Sequence, residues 1–160
     1  MKIASLSQLK KELSTLSSEE LRETCLRIVK HKKENKELLH YLVFESSNEE
    51  AFTSAVKEEV VEEFEAMNKA NLYWAKKTIR KILRSINKYI RFSGKKQTEV
   101  ELRLFFCQQI QDSGLKIIRS QALYNLYQRQ IILIEKALTT MHPDLQFDYQ
   151  EQISVIQKVN

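Results

Sequence analysis

Only two glycines, Gly94 and Gly114, and one proline, Pro143, occur in 160 residues. A strand-rich fold needs turn residues about every eight to twelve positions, and this chain cannot supply them. Long helices need few, so the scarcity of chain-breakers dictates an all-α fold. Hydrophobic residues at 42% and charged residues at 29% suit a packed core rather than a disordered chain. The length fits one domain. With no linker, low-complexity stretch or internal repeat, residues 1–160 read as a single helical domain.

Hydrophobic periodicity predicts seven or eight helices in antiparallel hairpins, stacked as a helical bundle or a short α-solenoid. The first starts after Ser5 and carries Leu6, Leu9, Leu13 and Leu16. Ser17 and Glu20 form a capping-box pattern for the second, whose buried stripe is Leu21, Cys25, Ile28 and Val29. A third begins near Asn35 with Leu38, Leu39, Leu42 and Val43. Asn48 caps a fourth, with Phe52, Val56, Val60 and Phe64 stepping along its inner face. The fifth runs from about Asn71 to Phe92 and ends at Gly94, a residue free to take the left-handed C-cap conformation. Thr98-x-x-Glu101 matches a capping box for the sixth, which Gly114 ends. The seventh, about Leu115 to Met141, is apolar on most faces around Ile131 to Ile134, which predicts a central, buried helix. His142-Pro143 stops it, and Asp148-x-x-Glu151 caps a last short helix with Ile153 and Ile156.

Charge is distributed unevenly. Between Ala66 and Thr98 stand ten Lys or Arg residues and no Asp or Glu, so the stretch carries +10. The other 16 basic residues share the rest of the chain with all 21 acidic ones, which leaves a net charge of +5. At about 100° per residue, Lys77, Arg80, Lys81, Arg84, Lys88 and Arg91 share one arc of the fifth helix, and Lys95 and Lys96 follow. Ala75, Ile79, Ile82, Leu83, Ile86 and Ile90 occupy the opposite arc. Like charges at i and i+4 repel by a few tenths of a kcal/mol per pair, so a nearby anion is expected. It is either the protein's own Glu58, Glu59, Glu62, Glu63 and Glu65 on the preceding helix, or an external polyanion. Tyr73, Trp74, Tyr89 and Phe92 flank the run and would suit single-stranded nucleic acid if exposed.

Other chemistry is thinly represented. Two glycines exclude the usual phosphate-cradling loops and the Gly-x-Ser-x-Gly elbow. Cys25 and Cys107 read as buried, inert thiols of a reducing compartment. Glu37 and His40 match the Glu-x-x-His ligand pair of di-iron bundles, but that site needs a second such pair, and neither His31 nor His142 has a glutamate three positions earlier. No metal and no cofactor is therefore expected. The glutamate pairs Glu58–Glu62 and Glu59–Glu63 read as a solvated face. Met1 to Ser5 lacks an apolar export signal, and no apolar run approaches the roughly 20 residues of a membrane helix, so a cytoplasmic protein is expected, with no membrane partner.

The stretch from Leu9 to Leu21 (Leu-Lys-Lys-Glu-Leu-Ser-Thr-Leu-Ser-Ser-Glu-Glu-Leu), Lys36 to Phe44, Asn48-Glu49-Glu50 and Ala75-Lys76-Lys77 resemble a family of small bacterial all-helical proteins, catalogued as a domain of unknown function. The resemblance covers the first half to two thirds of the chain. It implies a helical fold and a bacterial cytoplasmic setting, and carries no activity or functional residue with it.

The residues thus point to a non-enzymatic helical interaction module whose basic face, Lys77, Arg80, Lys81, Arg84, Lys88, Arg91, Lys95 and Lys96, docks an acidic protein. Sequence-independent nucleic-acid binding through the same face is the alternative, and a small metal protein or enzyme around Glu37 and His40 the second alternative.

Overall fold

The computed structural model describes residues 2–158. Among the described residues there are eight α-helices and no strand, so the all-α expectation holds. The chain divides into two compact units, residues 1–44 and 45–160, where the sequence suggested one domain.

The first unit holds α1 (Leu6–Leu13), α2 (Ser18–His31) and α3 (Lys33–His40). Ser5 caps α1 in a capping box with Gln8. The predicted Ser17–Glu20 box starts α2: the Ser17 hydroxyl accepts from the Glu20 N–H at 3.3 Å, and the Glu20 carboxylate accepts from the Ser17 N–H at 2.8 Å. That backbone donor holds the Glu20 carboxyl below its ordinary pKa. Lys32, in extended conformation, is the whole joint between α2 and α3, and the Asn35 amide donates to the Ile28 carbonyl across it at 2.8 Å. None of these three helices has a fully buried residue. The predicted stripe of α2 is accordingly corrected: Leu21 and Val29 are half-buried, while Cys25 and Ile28 are exposed. After α3 the chain widens into a π-turn, Tyr41–Glu45, which carries Leu42 and Val43 outward instead of extending the half-buried face of Leu38 and Leu39.

The second unit is a bundle of α4 (Glu49–Glu65), α5 (Leu72–Ser93), α6 (Lys96–Asp112), α7 (Gln121–Leu138) and α8 (Pro143–Gln157). Asn48 caps α4 through its side-chain oxygen, which accepts from the Ala51 N–H at 3.1 Å. Phe52, Val56, Val60 and Phe64 are all buried, as their spacing predicts. Gly94 ends α5 at φ 67°, a left-handed conformation that costs glycine little.

The centre of this unit is α6, not α7. Helix α6 touches α4, α5, α7 and α8, and buries Val100, Leu102, Leu104, Phe106, Cys107 and Ile110, residues spread over more than one face. Phe64 and Phe106 meet edge to face at 6.1 Å. The aliphatic run of α7 is two-sided: Ile131 and Ile134 are buried, but Ile132 is 61% exposed. Helix α7 also starts later than predicted, after a short 3-10 turn at Ile117–Arg119.

Two other predicted boundaries move. Helix α6 begins at Lys96, so Thr98 and Glu101 lie inside it and form no capping box. Pro143 opens α8 instead of merely closing α7: its missing N–H costs nothing at the first helical position, and His142 caps the helix by accepting from the Asp144 N–H. Asp148 and Glu151 are therefore mid-helix. At the other end of α8, the Gln111 amide donates to the carbonyls of Val155, Ile156 and Lys158, and the Tyr127 hydroxyl donates to the Ile156 carbonyl at 2.7 Å.

Candidate binding face

Helix α5 has the division its sequence predicts. Ala75, Ile79, Ile82, Ile86 and Ile90 are buried, while Lys77, Arg80, Lys81, Arg84 and Arg91 are exposed and Lys88 is half-buried. Asn71 starts it by accepting from the Tyr73 N–H at 2.9 Å.

The eight predicted cations do not form one continuous face. Lys95 is the residue before α6 and Lys96 its first. Both are engaged there: Lys95 Nζ is 3.0 Å from Glu49 and Lys96 Nζ 2.9 Å from Glu99. Lys81 meets Glu63 of α4 at 2.6 Å, which is the intramolecular pairing that an antiparallel hairpin allows. Lys88 lies over the Tyr89 ring at 4.5 Å, and Lys88 and Arg91 have further partners within the chain. Lys77 lies over the Trp74 ring at 5.2 Å.

Lys76, Lys77, Arg80 and Arg84 remain, with no carboxylate within 4.0 Å among the described residues. Together with Tyr73, Leu83 and Asn87 they line an open, shallow groove of about 600 Å³ whose lining belongs entirely to α5. Lys76 fell outside the predicted arc, although 76, 80 and 84 are spaced i, i+4, i+8 and share a side of the helix. The aromatic residues divide as well. Tyr89 packs against Phe52 at 5.9 Å and donates its hydroxyl to Glu59 at 2.7 Å, and Phe92 is buried. Tyr73 and Trp74 stay 63% and 49% exposed, edge to face at 5.3 Å.

Asn87, at the end of this lining, is fixed from inside. Arg103 of α6 is only 6% exposed. Its Nη1 donates to Asn87 Oδ1 at 3.0 Å and to Gln130 Oε1 at 2.7 Å, and its Nε and Nη2 both reach Glu99 Oε1 at 3.1 Å. Burial alone would raise the Glu99 pKa, but Lys96 and Arg103 together outweigh it and hold the carboxyl below its ordinary range. The Asn87 oxygen is committed to Arg103, and its amide NH₂ has no acceptor among the described residues.

A polar cleft of about 500 Å³ on α4 and α6 was not anticipated. Glu49 accepts from the hydroxyls of Ser93 and Thr98. Glu101 takes Lys57 at 3.2 Å and the Tyr149 hydroxyl at 3.1 Å. Burial, then the Glu101 charge, pushes the Tyr149 pKa up to about 12. Glu49 and Glu101 are both answered by the protein's own donors, so the cleft works as a polar seam between helices. Glu37 is 3.7 Å from Lys33 and the His40 ring 5.1 Å from Phe44. No group of three or more His, Cys, Asp or Glu able to hold a metal occurs among the described residues.

No family model, curated protein or solved structure matches the chain. Among the described residues no helix is long and apolar enough to cross a membrane.

Proposed function

We propose that this protein is a non-enzymatic docking module whose α5 groove binds an acidic protein surface. The observation that carries the reading is the set Lys76, Lys77, Arg80 and Arg84, four cations on one helix side with no carboxylate of their own among the described residues. Their mutual repulsion is a standing cost, and an external anion relieves it. The exposed thiol of Cys25 supports a reducing compartment such as the cytoplasm, where free thiols persist.

A second reading, binding of single-stranded nucleic acid, is favoured by one observation. Tyr73 lines the end of the same groove and Trp74 stands exposed beside it, where bases could stack.

Anisotropy titration of a labelled oligo-glutamate peptide and a labelled single-stranded oligonucleotide, each across a salt series, separates the two. Arg80→Glu with Arg84→Glu is expected to weaken peptide binding about tenfold or more and leave the helical circular dichroism unchanged. If phosphates are the ligand, log affinity falls linearly with log salt, and each cation removed lowers that slope by about one. Binding of either probe that survives the double substitution rules out this face.

A further inference from the structure

The chain displays its own candidate ligand for the groove. Glu58, Glu62 and Glu65 on α4 are exposed, and no cation pairs with them among the described residues. They are spaced i, i+4, i+7, so they form one helical stripe. At 1.5 Å per residue the stripe is about 10 Å long, against about 12 Å for Lys76 to Arg84 on α5. The hairpin satisfies its inner seam through Lys81–Glu63 and Tyr89–Glu59, and leaves one acidic and one basic stripe on its outward sides. Each stripe holds like charges one turn apart: Glu58 with Glu62, Lys76 with Arg80, Arg80 with Arg84.

We infer that the acidic partner is a second copy of this chain, with the Glu58–Glu62–Glu65 stripe of one copy lying along the α5 groove of the next. The inference rests on the docking reading above and names its partner. A helix laid there brings carboxylates against the guanidinium groups of Arg80 and Arg84, where paired hydrogen bonding is strongest, and places the Asn87 NH₂ as one further donor. Two different surfaces meet, so the contact is heterologous and builds rings or open chains. Both stripes are solvent-exposed, so salt weakens it.

Sedimentation equilibrium of the intact chain over a concentration series, at low and high salt, tests this. The expected result is a mass that rises with concentration at low salt and falls to that of the monomer at high salt. Arg80→Glu with Arg84→Glu, and separately Glu58→Lys with Glu62→Lys and Glu65→Lys, should each remain monomeric at low salt, and an equimolar mixture of the two should associate again. Lys10→Glu with Lys11→Glu, which changes net charge by the same amount as the arginine pair but alters no residue of either stripe, should associate like the wild type. A wild type that is monomeric at low salt throughout overturns the inference, as does association that ignores both substitution sets, or a mixture that fails to associate. Oligo-glutamate binding is measured in parallel. If the wild type stays monomeric but binds the peptide in an arginine-dependent way, the partner is a different acidic protein and the docking reading stands. If neither occurs, both fall.

Discussion

Arg103 shows how much a single side chain can conceal. In sequence it is one more base among the glutamates of an amphipathic stretch, yet it sits inside the second unit with hydrogen bonds to Glu99, Asn87 and Gln130. Removing one member of a buried charged network leaves its partners unpaired, so Arg103→Met is expected to destabilise folding by about 3 kcal/mol, read by urea denaturation. Glu99 gives that network a pH dependence. Its folded pKa lies below its ordinary value of 4.5, so the native state binds fewer protons than the unfolded chain through the carboxylate range. The resulting stability is present above that range and is lost as pH falls through the folded pKa. Glu99→Gln should flatten the acid limb of a stability-versus-pH curve. The cysteines diverge in a similarly hidden way. Burial pushes the Cys107 pKa up to about 12, whereas Cys25 is exposed. A thiol reagent should label Cys25 at once in the native protein and reach Cys107 only on unfolding; rapid native labelling of Cys107 would contradict its burial. Both had looked alike in sequence, because each lies in an apolar helical pattern, and a pattern does not say whether another element covers it.

Helices were legible wherever caps and periodicity agreed. Ser17 with Glu20, Asn48, and Gly94 each mark the terminus the sequence assigns them. The stretch Thr98-x-x-Glu101 imitated the same signal, but both side chains are drawn into tertiary contacts with Glu49, Lys57 and Tyr149, and the N-cap of α6 is Lys95, which gives no side-chain cap. Choosing the central helix by apolar count failed for a physical reason. Four consecutive aliphatic residues wrap a full turn, and on a helix covered from only part of its circumference one of them faces water, as Ile132 does. Helix α6 hides its polarity in hydrogen bonds instead. Phe106, fully buried at its centre, is the sharpest test: Phe106→Ala should cost about 3–5 kcal/mol. Ile132→Ala on α7 should change stability by less than about 1 kcal/mol, since little area leaves water there. Comparable losses at the two positions would mean that α7 occupies the centre after all.

For the whole molecule, the sequence disclosed the fold class and the location of the charge, but not which cations are already matched. That distinction depends on which carboxylates the hairpin brings alongside: Glu63 reaches Lys81, while Lys76, Lys77, Arg80 and Arg84 find none among the described residues. The division into two units falls in the π-turn just before the break at residues 46–48; a break between helices is legible in sequence, but whether the helices on either side share a core is not. Among the described residues, every buried apolar residue apart from Tyr41 belongs to the second unit. A fragment of residues 45–160 is therefore expected to unfold cooperatively by itself, with a transition that circular dichroism and tryptophan fluorescence report together; a broad, non-coincident melt would count against an independent core.

The position of α6 has a consequence for how the chain is made. As α4 and α5 leave the ribosome, the isoleucines of α5 have only one neighbour to lean on, and the helix against which four others close is still being translated. Consolidation of this unit must wait for Phe106 and Ile110 to emerge. Until then the nascent chain presents a sticky, half-covered hairpin, the kind of surface that ribosome-associated chaperones hold.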